Sequence, residues 1–195
     1  MAYGTPMIGN TQSASFKKMT LQATRHNLNL AMRRFYFMFS ILWGVVALDQ
    51  ASKWWVMATF DLYEVRPVLP SLFNLVYVHN SGAAFSLLAS AEGVWKEWFF
   101  IGVAVAALAF ILLLFKQYCV RHILYTVALG LIGGGALGNL IDRLRFGSVV
   151  DFLDFYVADY HWPAFNVADS AICVGVGLFL YRNLRDGKEE QEQQQ

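Results

Sequence analysis

The chain has 195 residues, of which 57% are hydrophobic and 15% are charged, and its formal net charge is +1. Soluble domains carry about 25% charged residues, so the composition excludes an ordinary soluble domain and predicts one compact, all-α membrane domain. A net charge this small gives no support to a nucleic-acid partner.

Four apolar segments are long enough to span a membrane, since a span needs about 20 mostly apolar residues. The predicted spans cover residues 35–57, 98–115, 123–141 and 169–184. Residues 1–34 are polar and basic and carry no small-residue cleavage pattern, so we expect an uncleaved cytoplasmic tail. Residues 186–195 are charged and rich in Gln, and we expect them to be disordered. The predicted membrane domain is therefore 35–185.

Lys and Arg residues predict the orientation of the spans, because they are enriched on the cytoplasmic side of a membrane. Outside the spans, most of them lie on the side that holds both termini. The exceptions are Arg66, Lys96, Arg143 and Arg145. Both termini are therefore predicted to be cytoplasmic, with residues 58–97 and 142–168 on the outer side.

The outer segments and the third span carry patterns of their own. Residues 73–78 are rich in β-prone side chains, which indicates a small β-element on the membrane surface. The apolar side chains of residues 84–98 suit a short interfacial helix. In the third span, Gly134 and Gly138 form a pair of small residues that lets another helix approach closely.

Acidic residues in a membrane domain are costly, so each one is a candidate functional group. Asp142 lies where the third span ends on the outer side, Asp169 lies where the fourth begins, and Asp151 lies in the connection between them. Asp49 lies about 21 Å along the first span from Phe35, at a rise of about 1.5 Å per residue. We therefore expect these carboxylates to converge on the outer membrane face.

An Asn-x-x-Asp pattern occurs twice, at Asn139–Asp142 and at Asn166–Asp169. Residues three apart share a helix face, so each Asn can orient its carboxylate or hold a peptide backbone. Asn166 could instead simply cap the fourth helix. A carboxylate at a helix C-terminus, as at 142, is disfavoured. Arg143 beside it would offset that cost, and its planar fork could hold a ligand carbonyl or carboxylate.

Carboxylate chemistry is the remaining interpretation, because the sequence contains no Gly-x-Ser-x-Gly or His-Glu-x-x-His motif and no metal-like spacing of Cys and His. Two carboxyl groups about 3 Å apart share one proton. The ionised group can take a proton from water while the protonated group donates to a carbonyl oxygen, as in aspartic proteases. The residues alone do not decide whether Asp142 or Asp151 is the partner of Asp169.

Five segments, in this order along the chain, resemble those of lipoprotein signal peptidases, also called signal peptidase II. They are Asp-Gln-Ala-Ser-Lys (49–53), Asn-Ser-Gly-Ala-Ala-Phe (80–85), Gly-Gly-Ala-Leu-Gly-Asn-Leu-Ile-Asp-Arg (134–143), Gly-Ser-Val-Val-Asp-Phe (147–152) and Phe-Asn-Val-Ala-Asp (165–169). The resemblance covers about residues 35–185 and implies that Asp151 and Asp169 are the catalytic pair. It also implies supporting or substrate-binding roles for Asp49, Lys53, Asn80, Gly82, Asn139, Asp142, Arg143 and Asn166.

The resemblance further implies a substrate, a location and an inhibitor. The expected substrate is a prolipoprotein whose lipobox cysteine carries a diacylglyceryl group, and the bond cut lies just before that cysteine. The expected enzyme is a monomer of the bacterial inner membrane, in contact with phospholipid, with its active site at the periplasmic face. It needs no metal or other cofactor and is blocked by the cyclic peptide globomycin.

Three other functions are compatible with acidic residues in a membrane domain. A proton-coupled transporter or channel is disfavoured, because the second, third and fourth spans hold no acidic residue deep inside them. Intramembrane aspartyl proteases of the presenilin or prepilin-peptidase type use a Gly-x-Gly-Asp pattern, which this sequence lacks. A non-catalytic membrane assembly factor would tolerate Asp151→Asn.

Overall fold

The computed structural model describes residues 9–82 and 95–193, and this part of the chain contains four helices and four short strands. The helices are α1 (Gly9–Thr59), α2 (Trp95–Tyr118), α3 (Ile123–Phe146) and α4 (Val167–Glu192). The strands are β1 (Val65–Leu69), β2 (Phe73–Asn80), β3 (Val149–Val157) and β4 (Tyr160–His161). Each helix contains a stretch long and apolar enough to cross a membrane, which confirms the four predicted spans and the mainly helical fold.

Two helices extend beyond the predicted spans. α1 begins at Gly9, since residues 10–43 contain no Pro or Gly that would interrupt a helix. α4 continues to Glu192, where the sequence had suggested disorder from residue 186. Its last turns are stabilised by Arg182, which pairs with Asp186 at 2.5 Å and with Glu189 at 2.9 Å.

α3 is the central helix, and it packs against α1, α2 and α4. In its membrane-spanning stretch 67% of the residues are buried within the protein, whereas in that of α2 only 11% are buried. Small residues allow these close contacts: a Cβ at Gly134 would lie 2.6 Å from Val45 of α1, and one at Gly135 would overlap the Ala168 carbonyl oxygen of α4. A Cβ at Gly138 would lie 2.6 Å from the Asp49 carboxylate of α1. The faces of α3 that carry these glycines therefore have no room for side chains.

The sheet has the antiparallel order β1-β2-β3-β4. β2 confirms the predicted β-element, and its Asn80 pairs with Val149 at the start of β3. β3 was expected to be only a connection, because its nearly continuous apolar run lacks the alternation typical of a half-exposed strand. In the structure its Phe152 packs with Val56 and Phe60 at the end of α1. This packing fixes the sheet against one end of the helices, here called the sheet end.

The predicted interfacial helix falls mainly on residues 83–94, which lie outside the described residues. Its last part, from Trp95, forms the first turn of α2. Trp95 and Trp98 are exposed there, as are Trp54 and Trp55 of α1. These tryptophans therefore face outward at the sheet end, as membrane-interface anchors do.

Candidate active site

Asp151 of β3 and Asp169 in the first turn of α4, here called the aspartate pair, are both held by Asn166. The Asn166 side chain donates from Nδ2 to Asp151 Oδ1 at 2.7 Å. Its Oδ1 accepts the backbone N–H of Asp169 at 3.0 Å, and its backbone N–H donates to Asp169 Oδ2 at 3.3 Å. Asn166 therefore does both things considered from the sequence: it caps α4 and it orients a carboxylate.

Asn80 at the end of β2 holds the second oxygen of Asp151. Its Nδ2 donates to Asp151 Oδ2 at 2.9 Å, and its Oδ1 accepts the backbone N–H of Gly82 at 2.9 Å. Gly82 has φ +94°, a left-handed conformation, and the Phe100 ring occupies the space that a Cβ would need. Gly82 is thus next to the site and acts on it through Asn80.

Asn139 of α3 holds Asp169 and joins it to a buried ion-pair cluster. Its Nδ2 donates to Asp169 Oδ1 at 2.8 Å, while its Oδ1 accepts from Lys53 Nζ at 3.0 Å. The same ammonium pairs with Asp49 Oδ2 at 2.8 Å and with Asp142 Oδ2 at 2.7 Å. The lysine and both carboxylates are at most 2% exposed, so the ion pairs are shielded from water.

Asp49 and Asp142 also fasten the backbone around the site. Asp49 Oδ1 accepts the backbone N–H of Ala168 at 2.9 Å, in the first turn of α4. Asp142 Oδ2 accepts the backbone N–H of Val150 at 3.2 Å, and Val150 directly precedes Asp151 in β3. The four carboxylates thus lie at the sheet end, but two of them hold the elements that carry the other two.

Arg143 was expected to offset the charge of Asp142, and its charge does interact with that carboxylate, but the direct ion pair is made by Lys53. The half-buried Arg143 guanidinium instead donates from Nη1 to the Asn139 carbonyl oxygen at 3.3 Å and lies 5.3 Å over the Phe100 ring. Its charge interacts with both members of the aspartate pair. The guanidinium is therefore close enough to the pair to bind a group that the pair attacks.

Asp151 is suited to carry a proton at neutral pH. It is 1% exposed, and its pKa is raised to about 7, chiefly because burial disfavours the charged carboxylate. The hydrogen bond from Asn80 lowers the pKa by less than burial raises it. Among the smaller contributions to this value, the charge of Asp169 raises the pKa, and the bond from Asn166 and the charge of Lys53 lower it. The aspartate pair therefore contains a group that can be an acid beside a group that can be a base.

Gln50 is a further residue of the site that was not predicted from the sequence. Its Nε2 donates to Asp142 Oδ1 at 2.8 Å and to the Gly138 carbonyl oxygen at 3.2 Å. The available signal was a polar residue inside an apolar span, next to Asp49. Among the described residues, no group of three or more His, Cys, Asp or Glu side chains has the arrangement of a metal site.

Comparisons with known proteins point to one family. Residues 41–185 match the family model for signal peptidase (SPase) II. The chain is 49% identical over 160 residues to the lipoprotein signal peptidase of Syntrophotalea carbinolica, which covers 82% of this chain and 97% of the relative. It is 52% identical over 145 residues to that of Ralstonia nicotianae, with coverages of 74% and 81%. A bacterial membrane enzyme solved by the in meso method at 2.3 Å matches with a TM-score of 0.69 and 31% identity, covering 78% of this chain and 90% of that one.

Proposed function

Because the chain belongs to the signal peptidase II family, we propose that it is an aspartic endopeptidase that removes signal peptides from prolipoproteins. Asp151 and Asp169 are the catalytic residues. The observation that carries this assignment is their common partner: one Asn166 side chain donates to Asp151 at 2.7 Å and accepts from the Asp169 backbone at 3.0 Å. Asn166 thus binds the Asp151 carboxyl group through its side chain and the Asp169 carboxyl group through its own backbone N–H at 3.3 Å, which supports their assignment as a pair.

The reaction uses one protonated and one ionised carboxyl group. Asp151 carries the proton, in keeping with its raised pKa of about 7, and Asp169 is the base. Asp169 takes a proton from water as the water oxygen bonds to the peptide carbonyl carbon, and Asp151 gives its proton to the carbonyl oxygen. The C–N bond then breaks as Asp169 passes its proton to the leaving nitrogen, and Asp151 recovers a proton from the diol.

The surrounding residues divide into those that hold the pair and those that bind substrate. Asn80 and Asn139 donate to the pair at 2.9 and 2.8 Å and keep its oxygens in place. Arg143 is the group that binds a carbonyl of the substrate backbone, because its fork lies beside the pair without a carboxylate in contact at salt-bridge distance among the described residues. The further supporting residues are Asp49, Lys53, Gly82, Asp142 and Asn166.

The proposed substrate carries a diacylglyceryl group on its lipobox cysteine, and the bond cut lies just before that cysteine. Acyl chains in the membrane keep the cysteine at headgroup level, so their binding energy positions the scissile bond at the pair. The exposed tryptophans Trp54 and Trp98 lie at the same end of the helices, which is consistent with an interface at that depth.

The proposed location is the bacterial inner membrane, with both termini cytoplasmic and the aspartate pair at the periplasmic face. In this arrangement residues 1–34 form a basic cytoplasmic tail, residues 35–185 form the peptidase domain, and residues 58–97 and 142–168 are periplasmic. The enzyme acts as a monomer among phospholipids and needs no metal or other cofactor.

The test is cleavage of a diacylglyceryl-modified prolipoprotein by the purified protein, with products identified by mass spectrometry. We expect a mature product that begins with the lipidated cysteine, and globomycin should block its formation. Asp169→Asn should give no product while its thermal unfolding stays close to that of the wild type. A product that begins elsewhere, or near-normal cleavage by Asp169→Asn, would contradict the proposal.

A further inference from the structure

Lys53 is a buried cation whose three N–H donors all have partners. Its Nζ contacts Asp49 Oδ2 at 2.8 Å, Asp142 Oδ2 at 2.7 Å and Asn139 Oδ1 at 3.0 Å. An ammonium group has three donors and no acceptor. It therefore cannot turn without breaking one of these contacts, and the 2% exposure of its side chain leaves no water to replace it.

The contacts of Asn139 leave its side-chain amide one favourable orientation. On one side lies the Lys53 ammonium, which can only donate, and on the other lies the Asp169 carboxylate, which can only accept when ionised. In the observed orientation Oδ1 accepts from the ammonium at 3.0 Å and from Asn166 Nδ2 at 3.3 Å, and Nδ2 donates to Asp169 Oδ1 at 2.8 Å. A flipped amide would bring N–H groups against the ammonium and an oxygen against the carboxylate.

We propose that Lys53 is a positioning residue of the peptidase reaction: it holds the Asn139 amide so that an N–H faces the Asp169 carboxylate, the group that takes a proton from water. This inference rests on the proposed function. A hydrogen bond donated to a carboxylate stabilises its charged form, whereas an amide oxygen in the same place would stabilise the protonated form. The lysine does not touch the reacting atoms, and its contact with the Asn139 amide is its route to Asp169.

Charge balance does not explain the third contact of the ammonium. Two carboxylates, Asp49 and Asp142, already surround it, and neutral side chains of similar size could replace all three charges without leaving one unpaired. The contact with Asn139 is the one that leads on to the aspartate pair. A purely structural lysine and a positioning lysine therefore predict different values of kcat for the variant in which Lys53 and Asn139 are both changed.

The experiment is a double-mutant cycle on the cleavage of lipidated prolipoprotein by the full-length protein, with kcat and KM measured separately. Lys53→Met and Asn139→Leu should each lower kcat by about 10–100-fold, the range for one hydrogen bond to a charged group, while KM changes little. The double variant should have the kcat of Asn139→Leu alone, because the lysine acts through that amide. Should Lys53→Met fail to fold, the cycle is run on Asp49→Asn/Lys53→Met/Asp142→Asn, which leaves no unpaired buried charge.

Tyr125→Phe and Asp169→Asn are reference variants for the two parts of the proposal. Tyr125→Phe removes a hydrogen bond of 2.6 Å to Asp186 at the other end of α3 and α4, and it should lower the melting temperature while kcat stays at the wild-type value. The positioning role would be overturned if the fold-losses in kcat of the two single variants multiplied in the double variant. A wild-type kcat for Lys53→Met would overturn it as well. Near-normal activity of Asp169→Asn in the same assay would instead overturn the proposed function.

Discussion

α3 and α4 meet in two polar clusters at opposite ends, and the clusters balance charge differently. The sheet-end cluster consists of Asp49, Lys53, Asn139, Asp142, Asp151, Asn166 and Asp169. The far-end cluster consists of Tyr125, Arg182, Asp186 and Glu189. At the far end, Arg182 pairs with both acids, at 2.5 and 2.9 Å. At the sheet end Lys53 forms ion pairs with Asp49 and Asp142, whereas the aspartate pair accepts hydrogen bonds from neutral amides.

This difference indicates what each cluster is for. At the far end the ion pairs lie within α4, which they stabilise by modest amounts, and the hydrogen bond from Tyr125 to Asp186 joins α4 to α3. The aspartate pair keeps its capacity to gain and lose a proton, because amides orient carboxyl groups without adding a full positive charge. Perturbed carboxyl groups of this kind are typical of catalytic sites, and they reduce stability where they are buried.

The largest expected effect comes from removing one acid at each end. Asp151→Asn should lower kcat by at least about 100-fold, since general acid catalysis contributes about 10²–10⁴-fold. Asp186→Asn should leave kcat near the wild-type value and lower the melting temperature, because it removes the partner of Arg182 and Tyr125. Initial cleavage rates and thermal unfolding in detergent measure both. Equal loss of activity in the two variants would remove the distinction between the clusters.

The pH dependence of stability should come from the sheet end. Asp151 has a pKa of about 7 in the folded protein and about 3.9 when exposed in the unfolded chain. Between these values the folded state holds a proton that the unfolded state has lost, so stability falls as pH rises through this window. The slope should approach about 1.4 kcal/mol per pH unit and should disappear in Asp151→Asn. Melting temperatures at pH 5 and pH 8 test this, and an unchanged difference in the variant would refute it.

Helix packing should be more sensitive near the sheet end than along the outer face of α4. Gly135→Ala places a methyl group against the Ala168 carbonyl oxygen, and overpacking of this kind costs about 1–3 kcal/mol. Gly177→Ala on α4 meets no atom within 4 Å and should stabilise by up to about 1 kcal/mol through helix propensity. Thermal unfolding of both variants measures the contrast. A neutral Gly135→Ala would mean that α3 and α4 can separate without loss.

Substitutions of Asn166 separate its two roles. Ser and Asn are nearly equal as helix N-caps, so Asn166→Ser should retain the cap, and its loss of stability should be about 1–3 kcal/mol, from the buried acceptors that lose the amide donor. Serine has no second group to donate to Asp151 at 2.7 Å, so cleavage should still fall. Asn166→Ala should lower both stability and cleavage. Full activity of Asn166→Ser would show that capping alone is the role of this residue.

Much of the fold was predictable from the sequence, because membrane spans are long and their composition is extreme. The four spans and the β-element at β2 follow from such patterns. The strand β3 did not, since an apolar run has no period that distinguishes a buried strand from a connection, and its partner β2 lies about 70 residues earlier in the chain. The end of α4 at Glu192 also differed from the prediction, because its ion pairs join Arg182 to Asp186 and Glu189, two acids beyond the predicted span.

The candidate site was predictable as a set of residues and not as a network. The two Asn-x-x-Asp patterns identified its asparagines and two of its acids. The roles depended on contacts between distant segments: Lys53 of α1, rather than the adjacent Arg143, neutralises Asp142. The choice of Asp151 over Asp142 came from the family resemblance and stays a prediction, with which the pairing of the lysine with Asp142 is consistent.

The proposed role of the aspartate pair depends on its charge state, which a titration of carboxyl carbon signals in ¹³C-Asp-labelled protein measures. We expect one carboxyl signal that titrates near pH 7, in line with the pKa of about 7 for Asp151, and that is absent from the spectrum of Asp151→Asn. A protein in which the Asp151 signal titrates near pH 4, as an exposed carboxyl group does, would contradict it.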